Sequence, residues 1–116
     1  MALKADLMAA GMPWQAANKL GLDTLTVFAA AGTTQATATT LTANCANITS
    51  GTGGVIIGLP NEAQMIANNS GLTITVYPVV GGAINGGATN AGISLPNGKS
   101  LFGMGAGLNF LAVVSA

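Results

Sequence analysis

The chain has 116 residues, half of them hydrophobic, yet only 5% are charged and the formal net charge is zero; a typical globular domain is roughly 25% charged. Three scattered lysines and no arginine exclude the basic patch that duplex nucleic acid requires, and no run reaches the roughly 18 apolar residues of a membrane-spanning helix. With no histidine and a single cysteine, Cys45, the chain has no histidine base, no cysteine metal cluster and no intrachain disulfide.

Four of the six charges, Lys4, Asp6, Lys19 and Asp23, fall in the first 23 residues; only Glu62 and Lys99 follow. A length of this order is one domain with a real core. Its surface must be Thr, Asn, Ser and Gly, which gives weak colloidal protection and favours association. The expectation is a chain that lives in an assembly.

Residues 1–23 read as a helical N-terminal arm. Leu3 and Leu7 lie four apart beside Met8, Gly11 breaks the run, Pro13 suits the first turn of a second helix, and Gly21 suits its end. Asp6, Gly11, Pro13, Gln15 and Asn18 interrupt any signal-peptide core, so no export address is expected. Helices this short are marginal alone. Leu3, Leu7, Met8, Met12 and Trp14 are therefore the candidate assembly contacts, although packing of Trp14 on the chain's own core is the more ordinary reading.

Residues 24–116 read as a β-sandwich domain. "LTVFAA" (25–30) and "ATATTLTA" (36–43) carry alternation and β-branched residues, and "GVIIGL" (54–59) has the short apolar look of a buried strand. "LTITVYP" (72–78) alternates, with Leu72, Ile74 and Val76 on one side. "LNFLAVV" (108–114) is too apolar to face water, so cover on both faces is expected. Turns at 68–71, 81–82, 85–87 and 97–98 separate these runs. The spacing predicts an all-β, antiparallel, jelly-roll-like sandwich. Residues 59–77 also align with 95–113 at an offset of 36, with five identities, each copy reading as one hairpin.

Gly98-Lys99-Ser100 has the ending of a phosphate-binding loop, G-x-x-x-x-G-K-[ST], set between a strand and a helix. Here position 93 is Ile rather than Gly, Pro96 removes a backbone donor, and "LFGMGAG" follows with three glycines, unfit to start a helix. Asn97-Gly98 is expected instead to form a type I′ hairpin turn. Asp6, Asp23 and Glu62 do not form the facing pair that a glycosidase needs, nor a calcium cluster. Glu62 reads as a solvated edge charge. The chain is expected to be no enzyme and to take no cofactor or metal.

The helical start "MALKADLM", then Gly32-Thr33-Thr34-Gln35-Ala36-Thr37-Ala38, Val76-Tyr77-Pro78, Gly81-Gly82-Ala83-Ile84-Asn85-Gly86 and Ser94-Leu95-Pro96-Asn97-Gly98-Lys99, in this order along most of the chain, resembles small virion structural proteins of tailed bacteriophages. The resemblance implies a capsid decoration or cement protein, often a homotrimer, on the outer capsid surface with the major capsid protein as partner. Related sandwiches at the ends of phage fibres and tailspikes give the alternative, a receptor-binding or adhesive domain that meets a host-surface glycan. Neither role calls for nucleic acid or a membrane. An ice- or surface-binding face would need many threonine rungs at a fixed repeat, and only two stretches have them.

Overall fold

The computed structural model describes residues 25–115. They are mostly β and build two mixed sheets packed on each other. The strands are β1 (Leu25–Ala30), β2 (Thr39–Leu41), β3 (Cys45–Gly51), β4 (Gly54–Ile57), β5 (Ala63–Asn68), β6 (Ile74–Tyr77), β7 (Ala83–Ile84), β8 (Ile93–Leu95), β9 (Ser100–Ala106) and β10 (Asn109–Val114). One sheet has the order β1-β3-β5-β9-β10-β7 and the other β2-β4-β6-β8.

Through β6 the chain winds as a flattened coil. Each turn gives one strand to each sheet, so β1, β3 and β5 run parallel in one sheet and β2, β4 and β6 run parallel in the other. Leu25 pairs with Cys45 and Cys45 with Met65, so the coil repeats every 20 residues on that side. The last strands close it. β8 pairs antiparallel with β6, β9 with β5 and β10 with β9, while β7 lies parallel to β10.

The antiparallel, jelly-roll-like order expected from the turn spacing is thus corrected to mixed sheets built mainly on parallel pairs. A short glycine-rich connection can fold a strand back beside its predecessor or carry it to the facing sheet, and here most do the latter. The predicted repeat is corrected for the same reason. Its second copy is a true hairpin, β9–β10, whereas in the first copy β5 and β6 lie in different sheets.

The glycine corners explain how successive turns stack so closely. Gly51 ends β3 and Gly53 completes the two-residue step to β4, with φ of 87° and 107°. A Cβ on Gly51 would run into the Ala30 carbonyl, and one on Gly53 into that of Gly32. Only glycine takes these angles and permits this approach. The turn chemistry also differs from expectation. In Pro96-Asn97-Gly98-Lys99 the Lys99 N–H donates to the Pro96 carbonyl at 3.1 Å, and only Gly98 has positive φ. That is a type II turn, one that carries the chain from β8 to β9. The type I′ geometry occurs at Asn85-Gly86, with φ of 53° and 73°, where the Gly87 N–H donates to Ile84.

Between the sheets lies one apolar core. Ala46, Ile48, Ile66, Leu101, Ile84 and Phe110 come from the six-stranded sheet, and Leu41, Val55, Ile57, Ile74, Val76 and Leu95 from the other. Like positions stack along the coil, Ala46 on Ile66 on Leu101 and Val55 on Val76 on Ile93. Two polar side chains are fully buried at the corners. Gln64 Nε2 donates to the Leu41 and Ala43 carbonyls at 3.2 and 3.0 Å, tying the β2–β3 corner to β5. Asn68 Nδ2 donates to the carbonyls of Leu72 and Leu95 at 2.7 and 2.8 Å, and its Oδ1 accepts from the Ser70 N–H and hydroxyl. It turns the chain out of β5 toward β6.

Candidate assembly surface

Strand alternation sends every second side chain of the six-stranded sheet away from the core. On β3, β5, β9 and β10 the inward set holds the core, and the outward set is the odd positions 45 and 47, 63 to 67, the even positions 100 to 106, and 109 to 113. Register then aligns Leu25, Cys45, Met65, Phe102 and Val113 in one row across five strands. Ala63, Met104 and Leu111 form the next row. Val27 begins a third row, which continues through Asn47, Ala67 and Ser100.

Among the described residues this face is largely apolar and nothing covers it. Leu25, Leu111 and Val113 are each about 70% exposed, and Val27, Met65, Phe102 and Met104 are also exposed. The six strands contain no charged residue. Six strands at about 4.8 Å spacing and six residues at about 3.3 Å rise span on the order of 24 by 20 Å, or about 500 Å². The largest apolar patch on a monomer is typically about 300–600 Å² and is often functional. Of the two faces of "LNFLAVV", the described residues cover one: Phe110 is buried, and Leu111 and Val113 face outward. The hydropathy of this strand reflects an exposed apolar face.

Near one side of the face, β9 and β10 frame an open hollow of about 300 Å³, lined by Phe102, Gly103, Met104, Leu111, Ala112 and Val113 with Asn85 at the rim. The amide of Asn85 is already engaged, its Nδ2 donating to the Ala112 carbonyl at 2.9 Å and its Oδ1 accepting from the Ala112 N–H at 2.8 Å. On the core side of the same strand Gly103 leaves room for the Phe110 ring: a Cβ there would meet that ring and the Leu111 carbonyl.

The five residues singled out in the arm, Leu3, Leu7, Met8, Met12 and Trp14, lie outside the described residues. The Gly98-Lys99-Ser100 stretch leads into a strand, with the Lys99 carbonyl accepting from the Asn68 N–H. Glu62 is corrected from an edge charge to a half-buried side chain just before β5, a central strand, where Asn44 Nδ2 donates to its Oε1 at 3.3 Å. Among the described residues no three His, Cys, Asp or Glu side chains gather where they could hold a metal ion, and no helix is long and apolar enough to cross a membrane. No protein-family model, curated protein or solved structure matches the chain.

Proposed function

We propose that this chain is a non-enzymatic structural subunit of a virus particle, a homotrimeric decoration or cement protein on the outer surface of a tailed-phage head, with the major capsid protein as partner. The observation that carries the assembly part of this reading is the charge-free apolar outer face of the six-stranded sheet. A surface of that kind gains free energy by leaving water, at roughly 25 cal/mol per Å². The phage assignment itself rests on the sequence resemblance.

Cementing needs binding to the assembled shell in preference to loose subunits, which stabilises the shell by mass action. A trimer multiplies three weak contacts into one stable attachment. An apolar contact face and a terminal arm suit that task, and no reacting group is required. The fibre-tip alternative would rest on a glycan site, where aromatic faces and hydrogen-bonding groups converge. In the hollow the aromatic is Phe102 and the polar side chain is Asn85, already tied to the backbone, which favours the structural reading.

The test is co-expression with the major head protein of the same genome, followed by gradient sedimentation. The protein should travel with the heads and protect them from heat or chaotrope. If it stays at the top of the gradient with intact heads, the reading is wrong.

A further inference from the structure

We infer that the outer face of the six-stranded sheet is the contact between copies of this chain, the exposed Leu25 and Val27 of β1 in one copy seating in the hollow between β9 and β10 of the next. This deepens the assembly reading above and rests on it.

Three observations lead to a second copy as the occupant. First, the face is neutral throughout its strands. A surface that meets a copy of itself must avoid like charges, and a face with none does so at any orientation, whereas an oppositely charged partner would find nothing to pair with. Second, the face is complementary to itself in shape. Leu25 and Val27 project from the edge strand β1, two residues apart on one side and so about 7 Å from each other. The hollow lies toward the other side of the sheet, on β9 and β10. One molecule thus carries both the projection and its receptacle, a head-to-tail arrangement that can close into a ring. Third, the size suits a closed ring rather than an open pair. A face of about 500 Å² shared between two neighbours gives about 500 Å² in total per contact, below the roughly 1,000 Å² of a specific interface, and the three contacts of a closed trimer together bury about 1,500 Å².

The hollow is poorly suited to a small polar ligand. About 300 Å³ is the lower bound for such pockets and the hollow is open; its one polar side chain, Asn85, is already engaged with Ala112. Aliphatic side chains need no polar partner and fill it without leaving a group unsatisfied. Met65 and Phe102, paired across β5 and β9 between the two sites, fill the middle of the contact.

The experiment is sedimentation of the full chain at micromolar concentration, comparing wild type with V27D, L111K and the double variant V27D/L111K. Both positions point to solvent in the single subunit, so the variants should keep the wild-type circular dichroism spectrum and melting behaviour of the β body. Each single change places an unpaired charge in an apolar contact and should weaken association roughly a hundredfold or more. The double variant places Asp of one copy opposite Lys of the next and should recover most of the wild-type mass. Unchanged mass in both single variants would overturn the inference, as would a monomeric wild type or a double variant no better than the singles. If the single variants keep their mass while deletion of residues 2–20 makes the protein aggregate, the N-terminal segment covers the face instead. Failure here with retained head binding leaves the proposed function standing. Rescue without head binding leaves the contact standing and removes the function, and a rescued species near two chain masses keeps the contact but corrects the trimer.

Discussion

Substituting Asn68 by alanine should remove the device that turns the chain from one sheet to the other. Asn68 is fully buried and uses both ends of its amide. The largest loss is at the Leu95 carbonyl, whose bond to Asn68 Nδ2 is buried; stranding such an acceptor costs about 1–3 kcal/mol. The Leu72 carbonyl and the Ser70 hydroxyl also bond each other at 3.1 Å and sit closer to water. Losing Asn68 there costs about 1 kcal/mol per bond. The sum is about 3–5 kcal/mol, a large part of the 5–15 kcal/mol that typically holds a domain. At about 4–8 °C per kcal/mol for a domain of this size, the melting temperature should fall by roughly 12–40 °C. Thermal and urea melts of the protein at fixed concentration would measure it. N68D is an informative companion: it keeps the acceptor for Ser70 but loses both donors, and at neutral pH it turns a carboxylate toward two carbonyls, so it should be no more stable than N68A. An N68A protein within about 1 kcal/mol of wild type would refute the role given to this corner.

Gly105→Ala should destabilise more than Gly71→Ala in urea melts, because a Cβ at 105 meets the Pro60 carbonyl, part of the backbone, whereas Gly71 at φ 90° has open space and faces only conformational strain. Overpacking of this kind costs typically about 1–3 kcal/mol, occasionally more. Deleting residues 2–20 should leave a folded β body that no longer decorates heads if Leu3, Leu7, Met8, Met12 and Trp14 dock on the capsid. Each buried anchor is worth about 1.5–3 kcal/mol, so affinity should fall by orders of magnitude at about 1.4 kcal/mol per decade. A truncated protein that binds normally in the same gradient assay would refute that docking.

The strands that could be read from sequence are those whose inward residues are all apolar. "GVIIGL" and "LTITVYP" are β4 and β6, with Val55, Ile57, Ile74 and Val76 in the core. β5 was legible only as the first strand of the 59–77 repeat and not by alternation, because its inward set is Gln64, Ile66 and Asn68: two amides that hold corners stand where alternation would need aliphatic side chains. β3 escaped because Ala46 and Ile48 are its only buried residues. Within 36–43 only Thr39–Leu41 is strand, since Gln35–Thr37 makes a 3-10 turn, and Leu72 is exposed ahead of β6.

The 20-residue coil left no visible repeat. Parallel pairing aligns Leu25, Cys45 and Met65, three unlike residues on an outward row where core packing does not constrain identity. The outer apolar face was legible only as a run of hydropathy in "LNFLAVV". Its extent depends on register, which brings Met65 and Phe102 beside Val113 from distant parts of the chain. Low charge, by contrast, was visible at once, and the proposed assembly first rests on it.

The most direct test of the central claim is sedimentation equilibrium of the unmodified full chain at micromolar concentration. The account predicts a species near three chain masses that holds together on moderate dilution. It also predicts little response to salt, because the contact face has no charges to screen. A well-behaved monomer across that range would contradict it.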